Sequence, residues 1–194
     1  VLEFSCFEML AKRINNIQDE LEKAEIHNTE IINVGGGLGI DYDNPEDNPI
    51  PDFKGYFNAY KNNIKLRPGQ SIHFELGRAL CGQCGQLICK CVYVKETSKK
   101  KFAIVDAGMT DLIRPALYDA HHKIVNLTGD EENRPVETYD VVGPICESSD
   151  VFDKDVKLSK VERGDIIAIK SAGAYGYVMA SAYNLRHLPA EVIK

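Results

Sequence analysis

Three things are missing from this 194-residue sequence, and each argues against a class of function. No apolar stretch approaches the roughly 18 residues of a membrane-spanning helix, so no membrane partner is expected. There is no excess of positive charge: 23 Lys and Arg stand against 29 Asp and Glu, for a formal net charge of -6. Nucleic-acid binding needs a concentrated positive face, which this balance does not offer. Nor is there an internal repeat, a low-complexity tract or a long block of like charge. The opening Val1–Met9 also carries acids where a secretory leader carries a basic start and a clean apolar centre. With no secretory signal, the six cysteines read as reduced thiols and the expected location is cytoplasmic. The length suits one medium domain or two small ones.

What is present is concentrated at glycine turns. Gly35-Gly36-Gly37-Leu38-Gly39 directly follows the apolar run Ile31-Ile32-Asn33-Val34. A short strand running into three glycines puts several backbone N–H groups at a strand's carboxyl end with no side chains in the way. Such a concavity can cradle a phosphate, although a plain tight turn uses the same residues. A second glycine turn, Glu75-Leu76-Gly77-Arg78, follows the strand-like Ser71-Ile72-His73-Phe74. Together the two turns suggest a phosphorylated ligand held at two strand ends.

Residues 4–24 have the spacing of an amphipathic helix, with Phe7, Leu10, Ile14, Ile17 and Leu21 at three- and four-residue steps. A second helix is expected over 52–65, with Phe53, Tyr56, Phe57 and Tyr60 on one side. Helix–strand–helix–strand is the rhythm of an α/β layer or barrel. Two strands cannot close a barrel, so the sequence is expected to be a piece of a longer protein. From about residue 80 the texture changes. Strands are predicted at 87–94, 101–105, 122–127, 136–142 and 166–170, separated by Gly, Pro, Asp and Ser turns, which indicates an all-β sandwich or barrel. A helix rich in small residues is predicted near 172–183.

Three further segments carry chemistry-bearing side chains. Asp106-Ala107-Gly108-Met109-Thr110-Asp111-Leu112-Ile113-Arg114-Pro115-Ala116-Leu117-Tyr118 reads as a turn and a helix start with Pro just inside it, so that Arg114 and Tyr118 share a face. An arginine at such a start is ordinarily solvated. Gly143-Pro144-Ile145-Cys146-Glu147-Ser148-Ser149-Asp150 sets a thiol beside a carboxylate, and Gly173-Ala174-Tyr175-Gly176 holds a phenol between glycines. An isolated cysteine is more often an apolar core residue. Cys81-Gly82-Gln83-Cys84 and Cys89-Lys90-Cys91 raise a zinc ribbon, but the spacing departs from paired knuckles. Both pairs are read as small core residues of a strand, with Cys89 and Cys91 on one face. His121-His122 reads as the start of a strand. No metal is expected.

Taken in order, GGGLG, ELGR, DAGMTDLIRPALYDAHH, GPICESSD and GAYG resemble the carboxyl-terminal part of the diaminopimelate decarboxylases. These are pyridoxal-phosphate (PLP) enzymes of the alanine-racemase-like fold. The resemblance implies that residues 1–80 are the last strands and helices of a PLP-binding (β/α)8 barrel. It implies that residues 81–194 are a Greek-key-like β-barrel or sandwich that contributes to the active site and to a homodimer interface. The activity implied is decarboxylation of meso-2,6-diaminopimelate to L-lysine, at a site shared by two subunits. By the same resemblance Gly37 and Gly77 hold the cofactor phosphate, Glu75 faces the ring nitrogen, and Arg78 serves cofactor and substrate. Arg114 and Tyr118 read the substrate's far end, Tyr175 contacts phosphate and substrate, and Cys146 is the general acid supplied across the interface. Glu147 followed by serine favours diaminopimelate over ornithine-type relatives, which carry aspartate then glycine. Leu76 stands where the family usually has proline, which loosens that turn. No lysine here matches the one that carries PLP, so the 194 residues alone are expected to be inactive. The alternatives are a decarboxylase of another basic amino acid, of ornithine or arginine type, and a non-catalytic dimerisation or metal-binding β module.

Overall fold

The structure, a computed structural model, describes residues 3–26 and 29–193. The chain divides into two compact units. One comprises the residues up to Ile40 together with Ile50–Leu80; the other comprises Asp41–Pro49 together with Cys81 onward.

In the first unit, helix α1 (Ser5–Lys23) and helix α2 (Phe53–Asn63) pack together beside two parallel strands, β1 (Ile31–Asn33) and β2 (Ser71–His73). Asp52 caps α2 by accepting from Gly55 N at 2.8 Å. The core is aromatic. Tyr56 and Tyr60 are fully buried, Phe7 meets Tyr56 edge-on at 4.7 Å, and Phe74 meets Tyr60 at 5.5 Å. The predicted apolar stripe of α1 is wider than the surface it covers. Phe7 and Ala11 are buried, whereas Leu10 and Ile17 are exposed.

The second unit is a six-stranded sheet ordered β5-β8-β3-β4-β6-β7. Its strands are β3 (Leu87–Glu96), β4 (Lys101–Val105), β5 (Ile124–Asn126), β6 (Val136–Val142), β7 (Val151–Ser159) and β8 (Ile166–Ile169). The outer strands β5 and β7 lie against each other, so the sheet curls into a nearly closed barrel. The predicted all-β character holds. Its core joins Ala103, Val105, Tyr139, Val141, Ile167 and Ile169 with Cys89 and Cys91. Burial pushes the Cys89 thiol up to about 12 and the Cys91 thiol up to about 11, so both stay protonated at neutral pH.

Directions within the sheet decide where the loops go. β4 and β6 are parallel, and β3 is antiparallel to both β4 and β8, so β4, β6 and β8 all run the same way. The segments that follow them, 106–112, 143–150 and 170–176, therefore leave at one end of the sheet. β5 is antiparallel to β8, so its start lies at that same end.

Four expectations are corrected. No helix spans 172–183; instead 3-10 turns occupy Tyr177–Met179 and Tyr183–Leu185. A Cβ on Gly173 would fall 2.0 Å from Cys81 O and one on Gly176 2.3 Å from Ala172 O, so this segment is folded tightly on backbone. Strand β7 was not anticipated, because Asp153, Lys154 and Asp155 break its apolar pattern and Asp155 sits at φ 54°. Cys81 and Cys84 are not strand residues. They end the short helix α3 (Gly77–Cys81) and the 3-10 turn Gly82–Cys84, and both are exposed. His121 and His122 precede the β5 ladder rather than open it.

Candidate functional site

In the first unit the chain leaves β1 and β2 at adjacent carboxyl ends. Asn33 organises this edge: its Oδ1 accepts from Gly35 N at 2.8 Å and its Nδ2 donates to Glu75 Oε1 at 2.6 Å. Glu75 N in turn donates to Gly35 O at 2.8 Å. Glycine is required here for two separate reasons. Gly35 and Gly37 have φ of 69° and 99°, and a Cβ on Gly36 would lie 2.1 Å from Glu75 O. Gly37, Glu75 and Gly77 are exposed, and Arg78 follows in α3, half-buried. The structure thus brings these four predicted residues to one pair of strand ends.

In the second unit the loop after β4 is the hub. Asp111 Oδ2 accepts from Gly108 N at 2.8 Å, which closes the turn. Asp150 draws the loop after β6 onto it, accepting from Met109 N at 2.6 Å and from Ile145 N at 2.7 Å. A Cβ on Gly143 or Gly108 would press on the Asp150 carboxylate, at 2.3 Å and 3.1 Å. Burial raises the Asp150 pKa, partly offset by those two amides and by Arg186. Cys146 and Glu147 sit exposed on the loop so formed. Glu147 Oε1 accepts from the Tyr183 hydroxyl at 2.5 Å, which pushes the Tyr183 phenol up. Thr110 O accepts from Ser181 N at 2.9 Å, tying the same hub to the segment beyond Tyr175. Tyr175 itself is held at φ 58°, in the left-handed region that favours glycine, with Ala174 buried and the phenol exposed.

Arg114 opens helix α4 (Arg114–Tyr118), and the expectation of a solvated helix start is overturned. It is only 6% exposed, while Tyr118 is 62% exposed. Its Nη1 lies 3.0 Å from the Tyr42 hydroxyl and 2.8 Å from His122 Nε2, and the guanidinium carbon stands 5.2 Å from the centre of the Tyr42 ring. Tyr42 arrives on the strap Asp41–Pro49, which is also tied down by Lys123 to Glu46 at 2.9 Å and by Gln83 to Asn48 O at 2.7 Å. Among the described residues no carboxylate pairs with Arg114.

Tyr42, His122, Asp150 and Tyr183 hold the candidate residues or their loops in place, and the sequence reading does not name them as site residues. Asp150 and His122 lie inside motifs that stand out in the sequence, and that membership is the signal they carry. Tyr42 lies in a polar connection that gives no local signal. Tyr183 was hidden by the helix wrongly expected there. Among the described residues no three His, Cys, Asp or Glu gather to hold a metal ion, and no helix is long and apolar enough to cross a membrane.

The family described as pyridoxal-dependent decarboxylase, C-terminal sheet domain, matches residues 11–173. The chain belongs to that family. The chain is 62% identical over 189 residues to diaminopimelate decarboxylase of Bacteroides thetaiotaomicron, covering 97% of this chain and 48% of the relative. It is 42% identical over 195 residues to the diaminopimelate decarboxylase of Zymomonas mobilis, covering 100% and 44%. The solved diaminopimelate decarboxylase of Methanocaldococcus jannaschii in co-complex with L-lysine matches 97% of this chain and 43% of its own, with TM-score 0.81 and 35% identity. The chain therefore spans about half the length of these relatives.

The residues present fit the family's cofactor. A Cβ on Gly36 would lie 2.1 Å from Glu75 O, so the Gly35–Gly37 turn at the carboxyl end of β1 admits no side chain of its own at its centre. Glu75 presents an exposed carboxylate beside it, held in place by Asn33. A phosphate-bearing ring with a basic nitrogen needs that pair of features.

Proposed function

We propose that the chain is the carboxyl-terminal part of a PLP-dependent carboxy-lyase that converts meso-2,6-diaminopimelate to L-lysine and carbon dioxide. Residues 1–80 are its share of the PLP-binding barrel and residues 81–194 its β-domain. PLP, when bound, supplies a ring that takes up the electron pair left when carbon dioxide departs. Glu75 holds a proton at the ring nitrogen, Gly37 and Gly77 hold the phosphate through backbone amides, and Arg78 adds a cation toward phosphate and substrate. Cys146 donates its thiol proton to the carbon that has lost its carboxylate, and the thiolate takes back a proton from water. Glu147 and Tyr175 contact substrate, and the exposed phenol of Tyr118 does the same beside Arg114.

The carrying observation is Arg114, a nearly buried guanidinium with no carboxylate partner among the described residues. A buried charge without its opposite is costly, so this one is explained by an anionic ligand. Diaminopimelate has a second carboxylate that survives as the carboxylate of L-lysine, and substrates such as ornithine have none. The working enzyme is proposed to be a cytoplasmic homodimer with an active site at the subunit interface. Exposed Tyr118, Tyr175, Tyr177, Val178 and Tyr183 support that reading, because such side chains favour a covered surface. The 194 residues alone are proposed not to turn over.

Product competition tests the assignment of Arg114. In the full-length protein, L-lysine should compete with diaminopimelate, and cadaverine, which lacks the carboxylate, should require at least about tenfold more. Arg114→Met should erase the difference. Equal inhibition by the two amines in the parent enzyme would contradict the assignment.

A further inference from the structure

We propose that His122 is a positioning residue for Arg114, held as a neutral imidazole that accepts from one guanidinium nitrogen and so reserves the others for an anion. The proposal rests on the reading that Arg114 meets a substrate carboxylate, and adds the device that aims it.

The tautomer of His122 follows from the contacts of its two ring nitrogens with Lys170 and Arg114. Its Nδ1 lies 2.9 Å from Lys170 O, a carbonyl that can only accept, so Nδ1 carries the hydrogen. Its Nε2 lies 2.8 Å from Arg114 Nη1, which can only donate, so Nε2 presents a lone pair. A doubly protonated ring would set one N–H against another across that gap. His122 is 1% exposed, so both contacts are made away from bulk solvent.

The consequence falls on the arginine. Nη1 has two hydrogens, and Tyr42 Oη at 3.0 Å and His122 Nε2 at 2.8 Å account for both. The Tyr42 ring closes the arrangement, with the guanidinium carbon 5.2 Å from its centre and the His122 ring edge-on at 5.0 Å and 80°. No described residue accepts from Nε or Nη2, and these two N–H groups form the parallel fork that suits a carboxylate. Neutral partners are what such a site needs. A carboxylate in place of His122 would orient Arg114 equally well but neutralise it before the ligand arrived. The strap carrying Tyr42 and the segment before β5 carrying His122 thus serve one purpose.

The test uses the full-length protein with PLP and the variants His122→Leu and His122→Gln. Gln can place its carbonyl oxygen near the Nε2 position; Leu cannot accept. His122→Leu should raise KM for diaminopimelate about tenfold while kcat stays within about threefold, and His122→Gln should recover most of the loss. An unchanged KM in His122→Leu, a fall confined to kcat, or a Gln variant no better than Leu would overturn the proposal. If His122→Leu does not fold, the Gln variant carries the test, and a tenfold rise in its KM counts against the role. A parent enzyme that forms no lysine sinks the substrate reading instead, and the contact is then judged by 15N spectra of histidine-labelled protein. His122 should carry its hydrogen on Nδ1, with an Nε2 resonance that shifts in Arg114→Leu. A hydrogen on Nε2, or a resonance indifferent to Arg114, would overturn it independently of substrate.

Discussion

Cys146→Ala in the full-length protein should lower kcat for lysine formation by about 10²–10⁴-fold, the range expected when a positioned proton donor is removed. The thiol is well suited to the step. A thiol gives up and regains a proton far more readily than a serine hydroxyl, which is what a proton donor to carbon must do. Its position is fixed by neighbours rather than by its own contacts, since the loop that carries it is drawn in by Asp150 and its neighbour Glu147 is held by Tyr183. KM should therefore change little, because the loop survives the substitution. A variant within threefold of the parent would assign the proton to another donor.

Asp150→Ala is expected to have the largest effect on stability. The carboxylate accepts from Met109 N and Ile145 N, joining the loops after β4 and β6, and glycines at 108 and 143 make room for it. Its removal leaves two amides without acceptors in a buried place and a void between the loops. Each such amide costs on the order of 1–3 kcal/mol, so a loss of about 3 kcal/mol is expected. Asp150→Asn should lie between, since an amide oxygen can still accept one bond while its nitrogen faces the other donor. Thermal unfolding checks both. Melting temperatures equal to the parent's would remove Asp150 from its role as the loop's anchor, and with it the account of how Cys146 is placed.

Much of the fold was legible because it obeys local rules. The strands at 101–105 and 136–142 have the bounds their composition and flanking turns predict, and Cys89 and Cys91 lie on the buried face expected of alternate strand residues. What failed depends on distant partners. Small residues at 172–183 are compatible with a helix, and only contact of Gly173 with the backbone of Cys81 forbids it. Charged β7 is a strand because it pairs with β6, which its own composition does not reveal. The same divide runs through the candidate site. The glycine turns could be read from local sequence, whereas the burial of Arg114 depends on Tyr42 and His122, 72 and 8 residues away along the chain. A helix start before proline looks solvated until those partners are known.

The central claim is that this chain belongs to an enzyme whose substrate carries two carboxylates. It is tested most directly by offering the full-length protein, loaded with PLP, meso-diaminopimelate, L-ornithine and L-arginine separately and following carbon dioxide and amine products. The account predicts one L-lysine for each carbon dioxide from diaminopimelate, with the other two substrates left essentially intact. Release of carbon dioxide from ornithine or arginine, with diaminopimelate untouched, would contradict it.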